Sequence, residues 1–165
     1  FNGWAGEIGH SILQPVNGRL CACGQHGCVE TLVSQRALSQ AVTDDEHLLS
    51  IDALQRRLAK DDDKVKQGLN TVGHYLGIVL RNVANILNPE TIVIGGPMSQ
   101  FGVHLIEPTI KSFKAHTGRN HIQPNIQLCE FGHNAAALGA AAAILSQHVE
   151  PMGTPTHLTH QGLLR

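Results

Sequence analysis

Four potential metal ligands lie close together near the start of this 165-residue chain. His10 is followed by Cys21, Cys23 and Cys28. One histidine and three cysteines form a usual ligand set of a structural zinc ion, which binds thiolates and a neutral imidazole. A metal held in this way folds the intervening chain into a loop, so the cluster constrains the local structure more than any other feature of the sequence.

The spacing of the cysteines supports a shared ion. Cys21 and Cys23 are two positions apart, and Gly24 and Gly27 lie between Cys23 and Cys28, where a chain wrapping one ion is expected to need positive φ angles. The alternatives are a disulfide or free thiols. Four cysteines are not a disulfide-dense composition for this length, and no signal peptide is visible. We therefore predict a structural Zn²⁺ that closes a loop over residues 10–28.

Length and charge narrow the class of protein. The length suits a single domain, and a first residue of Phe1 rather than methionine predicts a fragment or a processed piece. The formal net charge is −1, with 15% charged residues, so there is no electrostatic footprint for nucleic acid or a membrane. No apolar run approaches a membrane-spanning length. With the cysteines assigned to a metal, these features predict a cytoplasmic protein.

Hydrophobic periodicity predicts an α/β fold. Helical spacing predicts five helices, over 29–42, 51–59, 63–87, 99–115 (interrupted by Pro108) and 135–147. Apolar runs predict three strands, over 8–14, 91–96 and 125–131. Helices that alternate with strands are typical of the α/β class. The segment from 150 to 165, rich in proline, glycine and histidine, is expected to be an irregular tail.

Several elements carry more specific expectations. The strand at 91–96 is apolar throughout, which predicts helices on both faces of its sheet. The alanine-rich final helix is expected to pack tightly against that sheet. Gly73 and Gly77 predict the close approach of another backbone to the longest helix, and Cys129 is expected to be a buried thiol in a strand.

Two carboxylates flank the metal cluster. Glu7 precedes His10 by three residues, and Glu30 follows Cys28 by two. Carboxylates held on a rigid loop suit the hydroxyl groups of a sugar, and the second imidazole nitrogen of His10 can serve the ligand or the surrounding shell. Glu30 has an alternative role, since an acidic residue near Val29 also favours a helix N-terminus. Glu7 has no such alternative.

The predicted strand at 91–96 ends in a glycine pair. Gly95 and Gly96 would let a nucleotide approach the backbone, or they would form an ordinary tight turn, which is the commoner case. Pro97 then removes one backbone N–H that could serve a nucleotide.

The motifs around the cluster resemble those of the ROK family, which comprises repressors, open reading frames and sugar kinases. The resemblance rests on the stretch from Gly6 to His10, on the cysteine–glycine pattern that ends at Glu30, on Asn88–Gly96 and on Gly139–Ala141. It covers roughly Gly3 to Ile144. It implies an actin-like, ribonuclease-H-like ATPase fold, with residues 1–149 as the C-terminal lobe.

The resemblance also implies roles for individual residues. It assigns His10, Cys21, Cys23 and Cys28 to zinc, and Glu7, His10 and Glu30 to the sugar. It places the catalytic aspartate of family kinases and the first phosphate-binding loop upstream of this motif, in an N-terminal lobe that these residues do not include. We therefore expect no catalytic residue here, and we expect a homo-oligomer, because family members are usually dimeric or larger.

The family divides into sugar kinases and sugar-responsive regulators with an N-terminal helix-turn-helix. Gln25–Thr31, Gly95–Ser99 and the ending Gly162–Arg165 resemble the regulator branch. We therefore predict the effector domain of a transcriptional repressor of sugar metabolism, with DNA bound by a separate N-terminal domain. The alternative is the C-terminal lobe of a hexose or amino-sugar kinase that uses ATP and Mg²⁺, with Gly95 and Gly96 near the nucleotide. A third possibility is a zinc-stabilised interaction module without a small ligand.

Overall fold

A computed structural model describes residues 5–43, 47–115 and 123–148 of the chain. It contains six α-helices and two strands in these ranges. The helices are α1 (Glu30–Val33), α2 (Gln35–Val42), α3 (Ile51–Leu58), α4 (Asp63–Leu87), α5 (Val103–Ala115) and α6 (Ala135–His148). The strands are β1 (Thr91–Ile94) and β2 (Asn125–Leu128). The predicted α/β class is confirmed.

Helix α4 is the centre of the helical part. It packs against α5 and α2, and apolar side chains of the three helices meet in one core. The core consists of nine buried apolar side chains: Leu38, Val42, Ile51, Leu54, Val65, Leu69, Val72, Phe101 and Leu105. Burial of such side chains contributes about 1.5–3 kcal/mol each, so this cluster is the main apolar support of the described fold.

The predicted close approach at Gly73 and Gly77 is confirmed. A Cβ atom at Gly77 would lie 2.5 Å from the carbonyl oxygen of Thr109, and one at Gly73 would lie 2.6 Å from the ring of Pro108. Only glycine therefore lets α5 lie this close to α4. Helix α5 also continues through Pro108, so the predicted interruption there is wrong.

Helix boundaries follow local capping chemistry. Asp62 caps α4 by accepting hydrogen bonds from the backbone N–H groups of Lys64 and Val65, at 2.9 and 3.3 Å. The predicted end of α4 before Asn88–Pro89 is confirmed, and Asn88 adopts φ of 46° there. The predicted helix over 29–42 is instead two helices. Ser34 adopts extended geometry and caps α2, since its hydroxyl accepts from the N–H of Ala37 at 3.1 Å.

The two strands pair in parallel, with Thr91 opposite Asn125 and Ile94 opposite Leu128. One face is covered by α4 and α5, where Ile92, Ile94 and Ile126 pack against Leu80, Ala84 and Phe113. The other face is open, and Val93 is 54% exposed. The prediction that helices cover both faces of this sheet is therefore wrong for the described residues. Helices α4 and α5 both pack on the same face of the strands.

Helix α6 does not pack on the sheet as predicted. Residues 136–146 are exposed, and a Cβ atom at Gly139 would meet nothing within 4 Å. Helix α6 has 14 residues and is about 21 Å long, whereas each strand has four residues and is about 13 Å long. The two strands therefore offer less surface than the helix could cover. The start of the helix lies beside the sheet, where the Cβ atom of Ala135 is 3.6 Å from the Cβ position of Gly95.

Three other predictions need correction. The predicted strand over 8–14 is a 3₁₀ helix, Ile8–His10, followed by a single bridge from Ile12 to Cys28. The predicted helix from 99 begins as a 3₁₀ helix, Pro97–Phe101, and Gly102 separates it from α5. Strand β2 ends at Leu128, so Cys129 lies beyond it and is only half-buried. The predicted tail from 150 lies outside the described residues.

Candidate metal centre and ligand site

The metal loop, residues 10–28, is a folded-back segment held by backbone hydrogen bonds. Gly27 makes three of these hydrogen bonds. Its carbonyl oxygen accepts from the N–H groups of Leu13 and Gln14 at 2.8 and 3.0 Å, and its own N–H donates to the carbonyl oxygen of Arg19 at 2.9 Å. Gly27 has φ of 76° and Gly24 has φ of 87°, which confirms the positive angles expected between Cys23 and Cys28.

The loop brings the four predicted ligands together. One ligand atom from each of His10, Cys21, Cys23 and Cys28 lies within 4.8 Å of the others. The Nδ1 atom of His10 is 3.7 Å from the Sγ atom of Cys21, and the Sγ atoms of Cys23 and Cys28 are 3.6 Å apart. In a tetrahedron with zinc–sulfur bonds of about 2.3 Å, ligand atoms are separated by about 3.6–3.8 Å. The donor set and these two distances therefore fit Zn²⁺.

The two sulfurs of the closer pair differ in environment. Burial raises the pKa of the Cys28 thiol to about 12, and this side chain is 0% exposed. A backbone hydrogen bond from Gln25 lowers the pKa of Cys23, which is exposed. Without a metal, Cys28 therefore holds its proton strongly, and coordination of a cation has to displace that proton.

The two ring nitrogens of His10 face different groups. Its Nδ1 atom faces Cys21, and its Nε2 atom lies 3.8 Å from a carboxylate oxygen of Glu7. Both side chains are about half exposed, at 44% and 58%. A carboxylate beyond a metal-bound imidazole orients the ring and raises its basicity. The predicted proximity of Glu7 to the metal cluster is therefore present in the structure.

Glu30 reaches the same region from the start of α1. Its Oε2 atom lies 3.5 Å from where a Cβ atom of Gly9 would be. The carboxylate thus lies over the chain next to His10. Its position in the first helical turn still favours negative charge there. Glu7, His10 and Glu30 therefore border one surface beside the metal cluster.

Gly95 and Gly96 lie at the carboxyl end of β1, on a different part of the chain from the metal loop. Gly96 has φ of 86° and precedes the 3₁₀ helix that begins at Pro97. A Cβ atom placed at Gly95 would lie 3.6 Å from the Cβ atoms of Cys129 and Ala135. The pair therefore makes a turn at the edge of the sheet, next to the start of α6.

The structure adds three side chains that sequence reasoning did not select. Arg19, Arg36 and Gln40 line a cavity of about 590 Å³ that Glu30 also borders. Two signals could have found them. Arg19 lies two residues before Cys21 and so moves with the metal loop, and Arg36 and Gln40 are four apart on one face of α2.

Comparison with known proteins defines the class. The profile of the ROK family matches residues 1–147, and the chain belongs to the ROK family. The chain is 34% identical over 162 residues to a glucokinase of Halalkalibacterium halodurans, covering 88% of this chain and 49% of the relative. It is 30% identical over 148 residues to the DNA-binding transcriptional repressor Mlc of Escherichia coli, and the match covers 82% of this chain and 36% of the repressor.

A solved structure shows the same fold. The ROK family glucokinase from Streptomyces griseus, crystallised with glucose and AMPPNP, matches with a TM-score of 0.75 at 23% identity, covering 84% of this chain and 51% of that one. The chain thus spans about half the length, or less, of the relatives it matches. Both kinases and repressors are among these relatives, so the similarity does not favour the regulator over the kinase. None of the helices in the described ranges has the length and apolar character needed to cross a bilayer.

Proposed function

We propose that this chain is the C-terminal, sugar-binding lobe of a ROK protein, and that a structural Zn²⁺ supports its ligand site. The observation that carries the proposal is the position of His10. Its Nδ1 atom is 3.7 Å from the sulfur of Cys21, while its Nε2 atom faces Glu7, with Glu30 beside it. One imidazole thus links the metal cluster to a pair of carboxylates.

The chemistry of these groups suits a polyhydroxylated ligand. The carboxylates of Glu7 and Glu30 are acceptors, and two carboxylates on one surface can receive hydrogen bonds from neighbouring hydroxyl groups. Zinc would hold His10 and the cysteines and thereby keep the loop in shape, without a role in any reaction. The sugar is expected to be a hexose or an amino sugar, because the relatives include a glucokinase and an N-acetyl-D-glucosamine kinase of Pasteurella multocida.

Binding by the intact protein tests the proposal. Titration calorimetry with glucose, N-acetylglucosamine, N-acetylmannosamine and xylose should identify at least one ligand. Glu30→Gln and Glu7→Gln should each weaken it by about tenfold or more, since a hydrogen bond to a charged group contributes about 1.5–3 kcal/mol. Glu107→Gln, an exposed glutamate of α5, is the matched control and should bind normally. Unchanged affinity in both site variants would mean that the sugar binds outside this lobe, and would support a zinc-stabilised interaction module without a small ligand of its own.

Within the family we propose the regulator branch, with a kinase lobe as the alternative. The regulator proposal rests on the stretch Gln25–Thr31 and on Pro97, which follows the glycine pair and lacks an N–H for a nucleotide. In a regulator the sugar shifts the population between two domain arrangements and so changes the affinity for operator DNA. The kinase alternative rests on the turn at Gly95–Gly96, which leaves backbone accessible for ATP with Mg²⁺.

Two assays on the full-length protein separate the branches. A regulator should bind duplex operator DNA in a mobility-shift assay, and its sugar should weaken that binding. A kinase should convert the same sugar to its phosphate with ATP and Mg²⁺. Phosphorylation without operator binding would overturn the regulator proposal. Analytical ultracentrifugation of the same sample tests the expected homo-oligomer.

A further inference from the structure

Cys23 is the exposed cysteine of the candidate metal centre. Cys21 and Cys28 are 4% and 0% exposed, whereas Cys23 lies in the stretch 22–26, every residue of which is exposed. Zinc would keep all three cysteines as thiolates, because a coordinating thiol is deprotonated. The thiolate is also the nucleophilic form of cysteine. The centre therefore presents one nucleophilic sulfur to solvent and shields the other two.

A second sulfur lies next to the exposed one. The Sγ atoms of Cys23 and Cys28 are 3.6 Å apart, so they have to approach by only about 1.6 Å to form a disulfide bond of about 2.0 Å. The segment between them contains Gly24 and Gly27, both at positive φ, and a Cβ atom at Gly24 would meet nothing within 4 Å. The tip of the loop thus has open space in which Cys23 can move toward Cys28.

An exposed thiolate beside a second cysteine is the arrangement found in cysteines that respond to peroxide. Oxidation follows thiolate character and exposure, and a resolving cysteine nearby converts the first product into a disulfide. Loss of two sulfurs would leave a metal with His10 and Cys21, which are two of the four ligands that a structural zinc needs. Since His10 also faces Glu7, release of the metal would free the imidazole that supports the proposed ligand site.

We propose that Cys23 and Cys28 form a peroxide-sensitive pair, and that their oxidation to a disulfide releases the zinc and weakens ligand binding. Formation of the disulfide concerns the metal loop alone. Its effect on the ligand rests on the proposed function and adds a form of regulation to it.

The reaction consumes one hydrogen peroxide for each pair. The Cys23 thiolate attacks one peroxide oxygen, the O–O bond breaks, and the other oxygen leaves as water after it takes a proton. Cys23 is then a sulfenic acid. The Cys28 sulfur attacks the sulfur of Cys23, the S–S bond forms, the S–O bond breaks, and the hydroxide takes a proton and leaves as water. Two thiolates, one peroxide and two protons thus give one disulfide and two waters, and two electrons pass from sulfur to peroxide.

Zinc release and thiol labelling test the pair directly. The zinc-loaded full-length protein would be treated with hydrogen peroxide in the presence of a chromogenic chelator. About one zinc per chain should be released, and a reductant with added zinc should restore it. Free thiols would be alkylated with a light reagent, and disulfide thiols would then be reduced and alkylated with a heavy one. In the tryptic peptide 20–36, Cys23 and Cys28 should carry the heavy label and Cys21 the light one.

Two variants assign the reaction to this pair. Cys23→His removes the exposed thiolate but keeps a four-ligand set of two histidines and two cysteines, so its zinc should be released about tenfold more slowly at the same peroxide concentration. Cys129→Ser removes the half-buried thiol outside the cluster and should release zinc as fast as the parent. If Cys23→His does not bind zinc, the distribution of labels in the parent decides the question.

Titration calorimetry with glucose and N-acetylglucosamine measures the effect on the ligand. Affinity for the sugar that binds should fall about tenfold or more after peroxide treatment, and it should return after reduction in the presence of zinc.

The outcomes distinguish this inference from the proposed function. Zinc that stays bound while peroxide oxidises Cys129 in the same sample would overturn the inference alone. Heavy label on Cys21 in place of Cys28 would overturn the assigned pair, and full sugar affinity after zinc loss would overturn the regulation. If the reduced, zinc-loaded protein binds neither sugar, the proposed function lacks support, whereas zinc release with the expected labels would still support the pair.

Discussion

The metal loop and the helical core of this protein are stabilised in different ways. Within residues 10–28 only Cys21, Gly27 and Cys28 are buried, and the loop depends on backbone hydrogen bonds and on its four candidate ligands. The core around α4, by contrast, has fully buried leucines such as Leu54 and Leu69. Apolar burial and metal coordination can therefore be removed separately, and the candidate ligand site depends on the second.

The largest expected effect is on the loop. Chelation, or Cys28→Ser, should reduce bound zinc from about one per chain to near zero, because a structural site needs all four ligands. Hydrogen exchange should then accelerate across residues 10–28, and sugar affinity should be lost, while α4 remains protected. Cys129→Ser, outside the cluster, is the control. Absence of stoichiometric metal in freshly purified, reduced protein would contradict the zinc proposal. The exposed candidate ligand Cys23 tests the same point, since Cys23→Ser should also cost the metal and the folded state of residues 10–28.

The converse change should affect the core and spare the metal. Leu69 is 1% exposed at the centre of the core, and Leu69→Ala should lower the free energy of unfolding by about 2–5 kcal/mol through lost burial and the cavity left behind. Denaturant unfolding measures this loss. Leu138→Ala, on exposed α6, should stay within about 0.5 kcal/mol of the parent. A loss of zinc in Leu69→Ala would show that the two regions are not independent.

Close packing of two helices should be the next most sensitive feature. Gly77→Ala adds a methyl group 2.5 Å from the carbonyl oxygen of Thr109, so we expect a net loss of about 1–3 kcal/mol despite the better helix propensity of alanine. Gly139→Ala has open space around it and should stabilise α6 by up to about 1 kcal/mol. Thermal unfolding of both variants measures the two changes in stability. Equal effects at both positions would mean that α4 and α5 separate easily.

The smallest expected effect on stability is the loss of Asp62, the N-cap residue of α4, and this effect should depend on pH. The Arg57 guanidinium, 2.7 Å away, lowers the pKa of Asp62 below its ordinary 3.8. The carboxylate therefore stabilises the folded state above that value, and this contribution is lost as the pH falls through the lowered pKa. Asp62→Ala should reduce Tm by about 2–4 °C at neutral pH. The difference from the parent should shrink in acid. A difference that is constant down to pH 2 would argue against the ion pair.

Prediction from sequence succeeded where the signal was local. The stripe of α4, its end before Pro89 and the positive φ of Gly27 follow from short-range rules, and all three are confirmed. Prediction failed where hydrogen bonds between side chain and backbone determine the ends of a helix. Ser34 divides one predicted helix into two because its hydroxyl caps the second, and a periodicity count does not register that competition.

The candidate site was also only partly accessible from sequence. Spacing and glycines were enough to select the four candidate metal ligands, and position beside the loop selected Glu7 and Glu30. Arg36 was not selected, because nothing in its local pattern separates it from an ordinary solvated residue of a helix. Only the packing of α2 beside the metal loop shows that it faces the same cavity as Glu30.

The sequence by itself determined the candidate ligand set within residues 10–28, the long central helix and the resemblance to the ROK family, since these depend on residue identity at short spacing. The tertiary structure alone decided that His10 turns one nitrogen to the cysteines and the other to Glu7, and that two arginines share a cavity with Glu30. Such arrangements depend on how distant segments pack. Burial and hydrogen bonding across the whole fold determine that packing, and no short stretch of sequence contains it.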